Sequence, residues 1–468
     1  MGIVLPMKYT VQYCIFHVNP CHPQQERIVK GKHFEKAALS ARAVLSVFDQ
    51  TTIESLARET GFIQRKRKIS GFSFFLALIC GLVPCAAPSL ESICLSLQVL
   101  VSRQAVSKRF NRRAVAFMKA CLQLQLTRIA SLTESAKLKL ARFPRVIVLD
   151  STQWQLNPAL KKWFQGSGGG ASQAACKLQT AFEFISGKIL LMDFHRATRP
   201  DQGYGKNILR ILHPGDLILM DLGYYSISLF TDIQQRAASF ICPVYYHSAV
   251  NKQDSQKTSV ADVLEKVEFT TFDSQFLIGS TDKMNLRLVA FRNSPQKADK
   301  LRRKLKEDYR KHGRGQPPQK RLLFCNWTAL ITNVAPSQLC TQDVLQAYRS
   351  RWHIEIFFRD AKSHLNLDAS PSAKRERFEV QLLAILIVAA LLCFVQGRFN
   401  LYSLEELSLE KLIKRFAQRS ALLLECLRTK SFHLLQDIFL NLLTYSIKFH
   451  QPSRKTPRQN LAQVCFLS

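Results

Sequence analysis

With 468 residues, 47% of them hydrophobic, the chain is too long for one ordinary core and too apolar for a disordered protein, so two to four structural units are expected. Lys and Arg number 66 against 34 Asp and Glu, and the net charge of +32 suits a polyanionic partner: nucleic acid first, an anionic membrane surface second. The 13 Cys are irregularly spaced and include no Cys-x-x-Cys pair, which argues against a zinc site or a disulfide framework and for a reducing compartment.

The first residues, MGIVLPMKYT, lack the basic and apolar regions of a secretory signal. Residues 36–130 read as helical. Within them, FDQTTIESLARETGF (48–62) has Thr51 and Thr52 as candidate N-caps and Gly61 as its stop. The apolar run from Gly71 to Leu97 is broken by Pro84, Pro88 and Ser89, so it predicts buried helices rather than a membrane span. Residues 89–115 read as helix, short break, helix, with Ser102 capping a second helix that carries Arg103, Lys108, Arg109, Arg112 and Arg113. That pattern fits a helix-turn-helix in a DNA groove, and it also fits a plain helical hairpin with a solvated basic face.

Strand texture begins at residue 143. RVIVLD (145–150) is an apolar run closed by an acid, and GDLILMD (215–221) is another. KLQTAFEF (177–184) and KILLMDF (188–194) flank Ser186-Gly187, a hairpin signal. SISLFTDIQQRA (226–237) predicts a helix and SFICPVYY (239–246) a further strand. GSGGGAS (166–172) has dinucleotide-loop spacing, but no strand precedes it and no helix follows, so we read it as a loop.

From 251 to 321 the pattern loosens, with FLIGS and LRLVAF as extra strands and a basic arm at 297–321 that holds eleven Lys/Arg against three acids. WTALITNV (327–334) returns to strand, and a helix begins near Thr341. VQLLAILIVAALLCFV (380–395) is short for a span and predicts a buried helix; the rest, to 450, reads as helical before a basic tail. The final CFLS matches a prenylation pattern at Cys465 too short to carry weight.

Three acids stand out by position. Asp150 and Asp221 each close a buried strand, where charge needs a use. If those strands are neighbours, both carboxylates emerge at one sheet edge and repel unless something positive lies between them; Mg²⁺ is the simplest candidate. On a continuous helix of 3.6 residues per turn, Tyr348, Arg351, Glu355 and Lys362 fall within an arc of about 60°. Glu355 can then complete the metal site while Arg351 and Lys362 hold phosphates and Tyr348 adds a hydroxyl or a stacking face. The bland reading of Arg351 and Glu355 is a helical ion pair four residues apart. His353 and His364 fall on the opposite face and are read as packing or surface residues.

Tyr348-x2-Arg351-x3-Glu355-x6-Lys362 resembles the YREK signature of DDE transposases of the insertion-sequence-four group of bacteria, and the segments DST (150–152) and DLGYYS (221–226) resemble those around that family's two catalytic Asp. The resemblance spans roughly residues 140–370. It implies an α/β fold: an RNase H-like catalytic core interrupted by a β-rich insertion, with helical N-terminal and C-terminal regions. The expected division is a helical, basic DNA-binding region at 1–135, core at 136–250, a β-rich basic insertion at 251–326, core with the Glu-bearing helix at 327–398, and a helical region with a basic tail at 399–468.

The resemblance further implies that Asp150, Asp221 and Glu355 are catalytic and hold two Mg²⁺ (or Mn²⁺), and that Tyr348, Arg351 and Lys362 contact DNA. A flipped base can stack on a Trp, with Trp327 and Trp352 the candidates and Trp327 better placed in the core. The implied activity is cut-and-paste transposition at terminal inverted repeats, by a homodimer in a synaptic complex, in the bacterial cytoplasm on the nucleoid. Rival readings are an inactive, transposase-derived DNA-binding repressor, a structure-specific nuclease of the same fold, and, more distantly, a membrane-surface protein.

Overall fold

The computed structural model describes residues 48–82, 89–97, 99–130, 140, 142–168, 173–251, 258–351, 358, 372–401, 407–429 and 431–447. Helices come first: α1 (Gln50–Glu59), α2 (Gly71–Leu82), α3 (Leu90–Leu97), α4 (Arg103–Arg109) and α5 (Arg112–Ala130). The sheet region follows with β1 (Val146–Leu156), β2 (Ala174–Glu183), β3 (Ile189–Arg196), α6 (Asp201–Gly205), β4 (Leu217–Met220), α7 (Ile227–Gln235) and β5 (Ser239–Pro243). Next are β6 (Ala249–Asn251), β7 (Thr258–Ser259), α8 (Val260–Glu265), β8 (Thr271–Ile278), β9 (Met284–Arg292), α9 (Pro295–Lys311) and α10 (Gln319–Phe324). The chain then returns through β10 (Trp327–Thr332) and α11 (Thr341–Arg349) to α12 (Arg375–Leu401), α13 (Leu409–Thr429) and α14 (Phe432–Thr444).

The strands form one ten-stranded sheet in the order β3-β2-β1-β4-β5-β10-β9-β8-β6-β7. Neighbours β1–β4 and β4–β5 are parallel, and the other pairs are antiparallel. The fold is therefore mixed α/β. The β2–β3 hairpin forms where Ser186-Gly187 predicts it, with Gly187 at φ +73, a conformation that favours glycine. The buried Glu183 carboxylate holds that turn by accepting from the amides of Ile185 (3.0 Å) and Ser186 (2.6 Å).

Local boundaries differ from expectation in four places. Asp49, not Thr51 or Thr52, caps α1; its carboxylate accepts from the Thr52 amide at 2.8 Å and the Thr52 hydroxyl at 2.6 Å. Ser102 does cap α4, but the basic helix is split: Phe110 ends α4, and the Asn111 side chain accepts from the amides of Arg113 and Ala114 to start α5. β1 does not stop at Asp150 but runs to Leu156, because Asp150–Leu156 stay paired with Ala174–Thr180 of β2. Lastly, α11 stops at Arg349, so the continuous helix expected through residue 362 is interrupted; the Arg351 amide reaches only three residues back, to the Tyr348 carbonyl at 3.1 Å.

Two apolar clusters cover the faces of the sheet. Ile147, Leu149, Ile218 and Met220 pack with α6 and α7 residues on one side. Val146, Val148, Leu217 and Leu219 pack with Val344, Ala347 and Tyr348 of α11 on the other. A third cluster joins the N-terminal helices, α12, the C-terminal helices and the far ends of β1 and β2, including Trp154, Leu156 and Cys176. α12 is apolar on all sides, so it needs neighbours all round. It is the one helix among the described residues long and apolar enough to cross a membrane, yet 89% of its apolar window is buried inside the protein. Leu386, fully buried on α12, should cost about 2–5 kcal/mol when changed to Ala, whereas Leu100→Ala, at a residue 94% exposed, should stay within about 0.5 kcal/mol, both read by urea unfolding.

Candidate active site

Arg145 precedes β1 and Asp216 precedes β4. The Asp216 carboxylate, fully buried, accepts from Arg145 Nε (2.9 Å) and Nη2 (2.5 Å) and from the His213 amide (2.7 Å). Hydrogen bonding to Asp216 raises the Arg145 pKa, so the guanidinium stays charged. This planar two-point contact fixes where the two parallel strands start. The register then runs Val146 beside Leu217 up to Leu149 beside Met220. One further step brings Asp150 and Asp221 level, each five positions beyond its partner in the anchoring pair.

Side chains alternate along a strand. Val146 and Val148, like Leu217 and Leu219, face the α11 cluster, so Asp150 and Asp221 emerge on that same face. There they meet Arg351. Its Nη1 lies 3.3 Å from Asp150 Oδ1 and its Nη2 lies 3.7 Å from Asp221 Oδ1. The first is a hydrogen-bonded ion pair; the second is a charge contact beyond hydrogen-bond range. Arg351 and Asp150 are both buried, while the Asp221 side chain is 46% exposed. One acid is thus dry and the other reachable from solvent.

Tyr348 completes the arrangement. Its hydroxyl accepts from Arg351 Nε at 3.1 Å, and the guanidinium sits 5.3 Å from the ring centroid. Burial pushes the phenol pKa up, against the opposing pull of Arg351, so the hydroxyl stays neutral at physiological pH. Beneath Asp221, the Cys242 thiol on β5 donates to the Asp221 carbonyl at 3.6 Å. Burial, followed by the Asp221 charge, raises that thiol well above its usual pKa, which makes it a packing group rather than a nucleophile. The Thr180 hydroxyl on β2 donates to the Asp150 carbonyl at 3.3 Å, and the Tyr245 hydroxyl donates to the Leu222 carbonyl at 3.4 Å.

The structure therefore brings together four of the expected residues: Asp150, Asp221, Arg351 and Tyr348. Glu355 and Lys362 lie outside the described residues, as do Trp352, His353 and His364. Trp327 is buried beneath the Arg292 guanidinium, 4.6 Å from its ring. The sequence reading did not find Cys242, Thr180 or the Arg145–Asp216 anchor. Single polar residues in apolar strands carry no spacing signal, although an Arg and an Asp each placed five residues before the strand-closing Asp form a pattern legible in the sequence.

Two carboxylates that share a cationic neighbour form an oxygen-only donor set, which suits a hard divalent cation. Among the described residues, no three His, Cys, Asp or Glu side chains form a metal cluster.

Residues 141–391 match the family described as Transposase DDE domain. The chain is 30% identical to the transposase for insertion sequence element IS231E of Bacillus thuringiensis subsp. finitimus, over 79% of this chain and 81% of that relative. It is 29% identical to the transposase for IS231F of Bacillus thuringiensis subsp. israelensis over the same shares. It is 27% identical to the transposase for IS1151 of Clostridium perfringens, over 78% of this chain and 79% of that relative.

The buried contact should couple strongly. In a double-mutant cycle by urea unfolding, Arg351→Met with Asp150→Asn should show an interaction of about 0.5–3 kcal/mol. The cycle with Asp221→Asn should give less, because the exposed carboxylate is screened by water.

Proposed function

The chain belongs to the transposases with a DDE domain and acts on DNA, and from that membership we propose that it excises and reinserts an insertion sequence by cut-and-paste chemistry at the element's terminal inverted repeats. The observation that carries this reading is the pair of carboxylates, Asp150 and Asp221, held level on adjacent parallel strands and facing one guanidinium. The order β3-β2-β1-β4-β5, with three antiparallel strands followed by two parallel ones, supports an RNase H-like core. On this reading the core runs through 136–250 and 327–398, and 251–326 is a β-rich insertion whose strands extend the same sheet. Residues 1–135 form the DNA-binding region and 399–468 a helical region that contributes to a homodimer holding two ends.

Asp150, Asp221 and Glu355 would hold the divalent cations, Mg²⁺ or Mn²⁺, which when bound supply Lewis acidity at the reacting phosphodiester and make the attacking hydroxyl more acidic. The protein's own groups do the positioning. β1 and β4 fix two acids at one level, and the exposed side of Asp221 leaves the site open to a strand of DNA. Arg351 offers a planar fork suited to a phosphate, Tyr348 a neutral hydroxyl beside it, and Lys362 a further cation. A water or a DNA 3′-hydroxyl attacks phosphorus, and the opposite ester oxygen leaves with the cleaved strand.

Asp150→Ala, Asp221→Ala and Glu355→Gln should each lower Mg²⁺-dependent end cleavage and strand transfer by on the order of a thousandfold, equivalent to several kcal/mol, while end binding persists. Full cleavage by any of the three would remove that residue from the active site. Lys362→Ala should weaken binding to all DNA sequences and reduce the salt-dependence slope by about one, measured by fluorescence anisotropy across a salt series.

A further inference from the structure

A second polar cluster lies on the opposite face of the sheet, behind the two acids. Ser151 and its register partner Gln179 point to that side, with Leu149 and Ala181. Gln179 is almost fully buried, and its Nε2 donates to Asp201 Oδ1 at 2.6 Å. Its Oε1 accepts from the hydroxyl of Tyr224, a side chain 1% exposed. Asp201 also accepts from Lys177 Nζ at 3.1 Å, and the same ammonium donates to the Arg199 carbonyl at 2.9 Å.

These contacts converge on the turn that carries Asp221. Asp221 is the N-cap of a short 3-10 helix, Leu222–Tyr224, whose Gly223 amide donates to Asp221 Oδ2 at 3.5 Å. Asp201 presses directly on that glycine: a methyl group at Gly223 would lie 2.9 Å from Asp201 Oδ2. The next residue, Tyr224, is tied to Asp201 through Gln179. The residue after it, Tyr225, accepts through its carbonyl from Gln202 Nε2 at 2.7 Å. The start of α6 therefore holds three consecutive residues of the turn, one by contact and two by hydrogen bonds. The nearby charges of Asp201 and Asp150 also disfavour ionisation of Tyr224, after burial, which keeps its hydroxyl a donor to Gln179.

We propose that Asp201 is a positioning residue: from behind the sheet it fixes the Leu222–Tyr224 turn and so sets where the Asp221 carboxylate stands. Asp201 touches no reacting atom; it acts through Gln179, Tyr224 and Gly223. The proposal rests on the reading that Asp221 holds a divalent cation, and the groups behind metal ligands typically alter metal affinity by about 10–100-fold.

The test is Mn²⁺ binding to the full chain without DNA, followed by electron paramagnetic resonance, with thermal melting and end-DNA affinity measured alongside. Asp201→Ala should weaken Mn²⁺ binding at least about tenfold with little change in DNA affinity. Asp201→Asn should retain most of the binding, because its carbonyl can still accept from Gln179 and Lys177. Gly223→Ala should reproduce the loss by pushing the turn away from Asp201 while deleting no polar group, and it serves if Asp201→Ala does not fold. Wild-type Mn²⁺ affinity in a folded Asp201→Ala or Gly223→Ala variant overturns the positioning role. If instead the wild-type chain binds no Mn²⁺, or Asp221→Ala binds it unchanged, the cation reading itself fails and the proposal fails with it.

Discussion

Two like charges on adjacent strands, which lie about 4.8 Å apart, repel each other, and everything around the site answers to that. The fold fixes the strand register with a buried Arg–Asp pair at the entry end, and it sets one guanidinium across the two acids at the exit end. The asymmetry of the pair matters as much as their closeness. The burial of Asp150 is offset by its ion pair with Arg351, while Asp221 keeps nearly half its side chain in water. Among the described residues, the two acids and their guanidinium are thus held in place by the fold, with one carboxylate still reachable from solvent.

The rest of the molecule serves that edge. The parallel trio β1, β4 and β5 is the rigid part, with apolar clusters on both faces. α11 delivers Tyr348, and its regular hydrogen bonding gives way at Arg351, whose amide reaches three residues back to the Tyr348 carbonyl while its side chain meets both acids and the Tyr348 hydroxyl. Strands β6–β9 lengthen the same sheet and join its hydrogen-bond ladder through the β9–β10 pairing.

Much of this was legible in the sequence because it depends on local pattern. The apolar runs closed by Asp150 and Asp221, the Ser186-Gly187 hairpin and the Ser102 cap each rest on a few adjacent residues, and each forms. The spacing of Tyr348 and Arg351 likewise put them on one face, and there the Tyr348 hydroxyl accepts from Arg351. What local pattern could not supply was context. β1 runs past Asp150 because β2 lies beside it, and α1 is capped by Asp49 because a carboxylate one residue before the helix outcompetes the threonines inside it. Gln179 meets residues 22 and 45 positions away through neutral polar atoms, and no periodicity announces such a partnership.

α12 has a consequence for how the chain is made. The N-terminal helices α2 and α5 pack in one apolar cluster with α12, which begins at Arg375, so they leave the ribosome more than 240 residues before that neighbour exists. Phe74 and Phe117 already pack on Phe62 within the N-terminal part, with ring centroids 4.9 and 5.1 Å apart, so what stays open to water in that interval is the face that α12 covers, a surface that invites chaperones and association between copies. A product truncated before α12 would keep the acids Asp150 and Asp221 in its sequence and still lack the piece that closes the helical body around the sheet's far end. Synthesis of the last fifth of the chain therefore supplies the helix that joins the N-terminal helices to the C-terminal ones.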